Sequence, residues 1–224
     1  MNGVFTRIFA IFWKDMLTEI RTREFVFSVL IFAILELVIF SFAFSIRANM
    51  VDMAASGILW VALTFGGVIG FNRIFAVEKE NARLEGLMLC PVDRFVIYWG
   101  KLAGSFTFML AVSVVVTPIF LILFNLPIFL PRLALIIVVA TIGFAAVGTL
   151  FSAVAINIRA RDIMLSVLFL PIIVPVIVAA VKATAPVLAG KPWVDILTWL
   201  QIMIAFDIIY LVVATLVFEF VVEE

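Results

Sequence analysis

The chain is predicted to be an all-α integral membrane protein, with six transmembrane helices preceded by an N-terminal amphipathic helix at the membrane surface. Three observations carry this. Of its 224 residues 67% are hydrophobic and 13% charged, against roughly 45–50% apolar and about 25% charged in soluble domains, and the mean hydropathy is +1.34. Six apolar runs are long enough for a helix to cross the hydrocarbon, which takes about 20 residues for roughly 30 Å. All six are too long for strands and lack the alternation of a membrane barrel.

Taken in order, residues 1–25 come first. Arg7, Lys14, Asp15 and Glu19 interrupt any cleavable signal core. At helical spacing Phe5, Phe9, Phe12 and Met16 fall on one side with Ile8 beside them, and Arg7, Lys14 and Arg21 on another. That pattern predicts an interfacial helix on the cytoplasmic leaflet, with membrane lipid as its partner; a plain basic flank that fixes topology is the alternative. Residues 26–224 form the membrane domain. Its spans are expected at Val26–Ile46, Ser56–Phe75, Leu102–Phe124, Leu133–Ile156, Ile163–Val181 and Trp199–Val222.

Between the second and third spans lies a charged island. Residues 73–101 hold Arg73, Glu78, Lys79, Glu80, Arg83, Glu85, Asp93, Arg94 and Lys101, whereas Leu102 to Pro131 holds no charge. Residues 78–86 are mostly good helix formers, and Gly86 is placed to end a short helix. Glu80 and Arg83, three apart, can meet on one face. Pro91 suits the first position of a second helix. Two short helices at the membrane surface make a docking element for a soluble partner, with Glu78, Glu80, Arg83, Glu85, Asp93 and Arg94 as the coupling residues. A solvated loop is the alternative.

Lysine and arginine placement sets the orientation. With the amino terminus in the cytoplasm, that side receives Arg7, Lys14, Arg21, Arg23, Arg73, Lys79, Arg83, Arg94, Lys101, Arg159 and Arg161, and the other only Arg47, Arg132, Lys182 and Lys191. An even number of spans then puts both termini inside. The longest outer loop is expected at Lys182–Thr198, with Trp193 and Trp199 in the aromatic belt.

Other chemistry is excluded more easily than found. Zero formal net charge argues against nucleic acid. The chain has no histidine and a single cysteine, Cys90, which removes the common triads, zinc motifs and intrachain disulfides. There is no phosphate-binding G-x-x-x-x-G-K-[ST] loop, so the chain is read as non-catalytic, with no metal site. Gly66–Gly70 and Gly100–Gly104 have the spacing that lets helices approach closely. Pro171 and Pro175, on one face of the fifth span, should bend it. Glu36 and Asp207 lie at lipid depth, where an acid costs about 2.5–3.5 kcal/mol to insert. They either line a polar path or pack as neutral carboxyls against neighbouring helices, and for Asp207 the packed form is preferred.

The stretches Gly57–Ala62, Gly70-Phe71-Asn72-Arg73, Glu78-Lys79-Glu80, Leu84–Arg94 and Gly100-Lys101-Leu102 resemble the B subunit of the cytochrome c maturation system, known as the haem exporter permease. The similarity extends to Lys14-Asp15 through Arg21–Glu24, and to Asn157–Asp162 leading into Leu170-Pro171 and Val174-Pro175-Val176. The run from Leu84 to Arg94 is the most specific; Cys90 stands where a small residue such as alanine is expected. The resemblance implies an ABC-2 exporter-like architecture in the bacterial inner membrane, whose first cytoplasmic loop fits a groove on a separate ATPase subunit that binds the ATP. It further implies a tryptophan-rich haem-handling membrane subunit and a small single-span accessory subunit, with a homodimer left open. Haem would be the transported or handled ligand, with no cofactor held firmly by this chain.

The function so implied is that of a permease subunit in an ATP-driven complex that supports haem delivery to the periplasm. One alternative is a mechanical subunit that drives release of haem-loaded chaperone without moving haem. A stand-alone secondary transporter is the other, but such folds carry internal repeats and midplane ionisable sites; no repeat of three spans is obvious here.

Overall fold

Seven helices and no strand occur among the described residues, which in this computed structural model are 2–21, 23–45, 48–74, 92–127, 130–155 and 161–221. The helices are α1 (Asn2–Arg21), α2 (Arg23–Ser45), α3 (Ala48–Ile74), α4 (Arg94–Leu123), α5 (Pro131–Ala155), α6 (Arg161–Leu188) and α7 (Val194–Val221). Six stretches are long and apolar enough to cross a membrane: Phe25–Ala43, Ala54–Arg73, Arg94–Leu123, Pro131–Ala155, Ile163–Leu188 and Val194–Phe220. The chain is a multi-pass membrane protein.

Helices α3 and α5 are mostly buried, whereas α2 and α7 are mostly exposed on the flanks. Helix α5 packs against α3, α4, α6 and α7; α2 packs on α3 and α4; and α1 lies along α4. Lipid tails are as apolar as leucine, so burial alone gives little drive for such helices to associate; close packing and interhelical hydrogen bonds do more. Both are visible in the seam between α3, α5 and α6. Trp60, Phe144, Phe169 and Phe71 form a column of rings with successive centroids 6.3, 5.8 and 5.4 Å apart. Trp60 Nε1 donates to Thr184 Oγ1 at 2.9 Å, and Ser152 Oγ donates to the Phe71 carbonyl at 2.7 Å. At Gly148 a Cβ would meet the Phe71 ring at 2.5 Å, so only glycine admits that ring.

A second cluster lies towards the α1 end. Val96, Ile97, Tyr98 and Leu102 of α4 meet Ile11 of α1, Ala145, Ala146 and Leu150 of α5, and Ala214 and Phe218 of α7. Tyr98 Oη donates to the Ala146 carbonyl at 3.2 Å, and its ring lies 5.4 Å from that of Phe218. At the opposite end α4 and α6 stop on left-handed residues, Asn125 (φ 54°) and Gly190 (φ 68°). In each case the following amide bonds back to a carbonyl of the last turn: Leu126 N to Leu121 O, and Lys191 N to Pro186 O.

Several helix ends differ from the sequence expectation. Helix α4 starts at Arg94 rather than Leu102, so Arg94–Lys101 is helical stem and not loop. Asp93 takes the N-cap position without a side-chain cap bond; Pro91 lies outside the described residues. Helix α6 continues to Leu188 with Pro171, Pro175 and Pro186 inside it, and α7 starts at Val194. The expected long loop at Lys182–Thr198 therefore shrinks to residues 189–193. Proline removes a donor but leaves the turn open to neighbouring helices that satisfy the freed carbonyls, and so hydropathy ran out before the helix did.

Candidate functional site

The charged residues of the α1 end form a collar built on close helix approach. A Cβ at Gly100 would meet Ile11 at 2.7 Å, and one at Gly104 would stand 3.8 Å from Asp15 Cβ. Gly100 thus admits α1, whereas at Gly104 a Cβ would make only ordinary contact. Between these two glycines Lys101, 2% exposed, reaches Asp15 Oδ2 at 2.9 Å. Asp15 also meets Lys14 Nζ at 3.2 Å, with the Lys14 side chain partly in the open. One carboxylate therefore holds a buried ammonium on one side and a surface ammonium on the other. A buried cation of this kind is tolerable only while its partner stays in place.

One turn along α1, Glu19 faces the end of α3. Burial pushes its carboxyl above the ordinary range, Arg73 pulls it back down, and Asp15 pushes it further up. The Arg73 guanidinium lies over the Phe25 ring at 4.4 Å. Glu19 Oε1 and Arg73 Nε have no hydrogen-bond partner among the described residues. On the far side of the stem, Arg94 Nη1 donates to the Glu219 carbonyl near the end of α7 at 2.9 Å. Of the chain segments flanking residues 75–91, α4 is held to α1 through Lys101 and to α7 through Arg94, while on α3 Arg73 stacks over Phe25 within electrostatic reach of Glu19.

Of the residues singled out from sequence, Glu78, Glu80, Arg83 and Glu85 lie outside the described residues, as do Gly86 and Cys90. Asp93 and Arg94 stand at the start of α4. Asp15, Glu19, Arg73 and Lys101 had been given no site role. A signal for them was present: Asp15 and Glu19 sit four apart on the Ile8–Ile11 face of α1, and Lys101 lies between Gly100 and Gly104.

The intramembrane carboxyls are not brought together. Glu36 lies on α2 and Asp207 on α7, helices that make no contact with each other among the described residues. Asp207, 5% exposed, packs on α5, where a Cβ at Gly143 would meet its Oδ1 at 2.5 Å with Val176 and Phe206 alongside. That oxygen and Glu36 Oε2 have no hydrogen-bond partner among the described residues. No group of three or more His, Cys, Asp or Glu side chains able to hold a metal ion occurs among them either.

Comparison with known proteins agrees with this architecture over nearly the full length. The chain is similar to "Heme exporter protein B" of Rhodobacter capsulatus, 24% identical over 66% of this chain and 69% of the relative. It is also similar to the proteins of that name from Haemophilus influenzae, 22% identical over 75% and 76%, and Bradyrhizobium diazoefficiens, 22% identical over 83% and 84%. A family model described as CcmB protein matches residues 6–223, so the chain belongs to the CcmB family.

Proposed function

We propose that this chain is the membrane subunit of an ATP-driven complex that supports haem delivery for cytochrome c maturation, with ATP hydrolysed on a separate chain. The observation that carries the proposal is the anchoring of the α4 stem of the charged stretch on the bundle, Lys101 bound to Asp15 and Arg94 to the Glu219 carbonyl, with Arg73 of the α3 stem within electrostatic reach of Glu19. A partner that grips Glu78, Glu80, Arg83, Glu85, Asp93 and Arg94 would move α3 and α4 together, and α1 with them. The eleven-to-four basic count supports both termini in the cytoplasm and the charged stretch on the ATPase side. The relatives named as haem exporters support haem as the handled ligand, and the inner membrane is the location that goes with this reading. A tryptophan-rich haem-handling subunit and a single-span accessory subunit complete the proposed assembly.

One observation favours a mechanical role within that complex. The α3–α5–α6 seam is filled by the column Trp60, Phe144, Phe169 and Phe71, all 2% exposed or less, so ATP-driven strain passes through a packed bundle rather than opening a path along that seam. Reversal of Glu80 and Glu85 to lysine tests the shared basis of both readings. Co-purification of the ATPase and the yield of holocytochrome c should both fall by an order of magnitude or more, since close charge pairs at interfaces are worth roughly 1.5–7 kcal/mol. Reversal of Lys182 and Lys191 should leave both unchanged. Wild-type levels in the Glu80/Glu85 variant would remove the docking role of this stretch.

A further inference from the structure

Helix α5 carries two buried hydroxyls, Thr149 and Ser152, which are 0 and 4% exposed and stand three residues apart. An aliphatic side chain would fill either place in an apolar bundle equally well, so their effect lies in what they bond. Ser152 Oγ donates to the Phe71 carbonyl of α3 at 2.7 Å. Thr149 Oγ1 lies 2.8 Å from Ser105 Oγ of α4. One turn of α5 therefore holds both helices that flank residues 75–91.

The direction of the second bond follows from its surroundings. Ser105 Oγ also lies 2.8 Å from the Lys101 carbonyl, which can only accept, and a hydroxyl has a single proton to give. Ser105 thus donates to Lys101, and Thr149 donates to Ser105. A directed chain runs from Thr149 through Ser105 to the backbone of Lys101, whose ammonium holds Asp15. On the other stem Phe71 is gripped twice, its carbonyl by Ser152 and its ring at Gly148, where a Cβ would stand 2.5 Å away. Phe71 is two residues from Arg73, and Lys101 seven from Arg94. Apolar faces can slide past one another, whereas a hydrogen bond of this length is lost after a shift of about 1 Å.

We propose that Thr149 and Ser152 are positioning residues for energy coupling: they latch the α3 and α4 stems to one turn of α5, so that a pull on the charged stretch reaches α5 as a single displacement. The latch rests on a partner gripping that stretch for the source of the pull. Contiguous hydrogen bonds and rigid helices are what carries coupling between distant sites, and α5 packs against α3, α4, α6 and α7. A displacement delivered there spreads to the rest of the bundle.

The test compares Thr149→Val/Ser152→Ala with Thr149→Ser, which keeps the hydroxyl. In complex with the ATPase, the double variant should retain ATPase binding and ATP turnover while holocytochrome c formed per ATP falls several-fold. Thr149→Ser should match the wild type. Thr149→Val alone, which keeps the shape and leaves Ser105 bonded to Lys101, should show the same loss in smaller size. Full yield per ATP in the double variant would overturn the latch and leave the docking role intact, whereas an ATPase that ignores the wild-type chain would remove the docking role. A measurement on the chain alone decides the latch in both cases. Nitroxides on Phe65→Cys of α3 and Phe95→Cys of α4, both exposed positions, report the spacing of the stems on a Cys90→Ser background. The intact hydroxyls should give one narrow distance and the double variant a broad distribution. A narrow, unchanged distance in the double variant would overturn the proposal.

Discussion

The aromatic seam of α3, α5 and α6 and the charged collar where α1 meets α4 hold the same bundle by opposite means. In the seam, rings and hydroxyls pack in surroundings that neither salt nor pH reaches, and each contact is small but permanent. In the collar a few charges carry the junction, and each is worth something only while its partner is present. The seam is suited to keep helices together and the collar to release them. Helix α3 belongs to both, with Trp60 and Phe71 in the seam and Arg73 at its collar end.

The comparison is sharpest if each region is broken in turn. Phe169, fully buried and touching both Phe71 and Phe144, should show the largest effect. Phe169→Ala should destabilise the bundle by about 3–5 kcal/mol, read as a salt-independent fall in the unfolding midpoint in detergent. A salt-dependent loss would mean that the seam is coupled to the collar.

Asp15→Asn comes next. Leaving Lys101 buried without a counter-charge should cost about 3 kcal/mol, at the low end of such losses because Asp15 is partly open to solvent. The double variant Asp15→Asn/Lys101→Met should recover most of that stability while ATPase-linked activity stays low. Recovery of both would reduce the pair to packing.

The smallest effect belongs to Glu19. Its folded pKa is raised, so its ionised form is disfavoured in the native state. Its contribution is full below the ordinary glutamate value of 4.5 and declines as pH rises through the folded pKa. Glu19→Gln should therefore raise the melting temperature slightly at pH 8, by less than about 1 kcal/mol for a half-exposed group, and the gain should vanish near pH 4. A loss of stability at pH 8 would show that attraction to Arg73 outweighs burial.

Much of this was legible in the sequence, and the parts that were not share a cause. The six spans followed from run length, and α1 from its period. Helix ends were missed where a charge stopped the hydropathy run but not the helix. Arg94 and Lys101 read as loop because their partners, the Glu219 carbonyl and Asp15, lie far away in the chain. The outward register of α1 was missed by one step, because two of its faces carry large apolar side chains and only Gly100 decides which one the bundle accepts. Glu36 and Asp207 were legible as lone acids, but hydropathy holds nothing about which helices touch.

The Asp15–Lys101 contact also has a meaning in time. Asp15 leaves the ribosome three helices before Lys101, and domains form from the amino terminus as the chain is made. Until α4 arrives, the carboxylate has its chain neighbour Lys14 beside it. When Lys101 then enters, it finds a counter-charge already waiting at the waterline. The first helix made thus serves as a template for placing the fourth, so defects in α1 should surface as misassembly of α4 during biogenesis, before any complex forms.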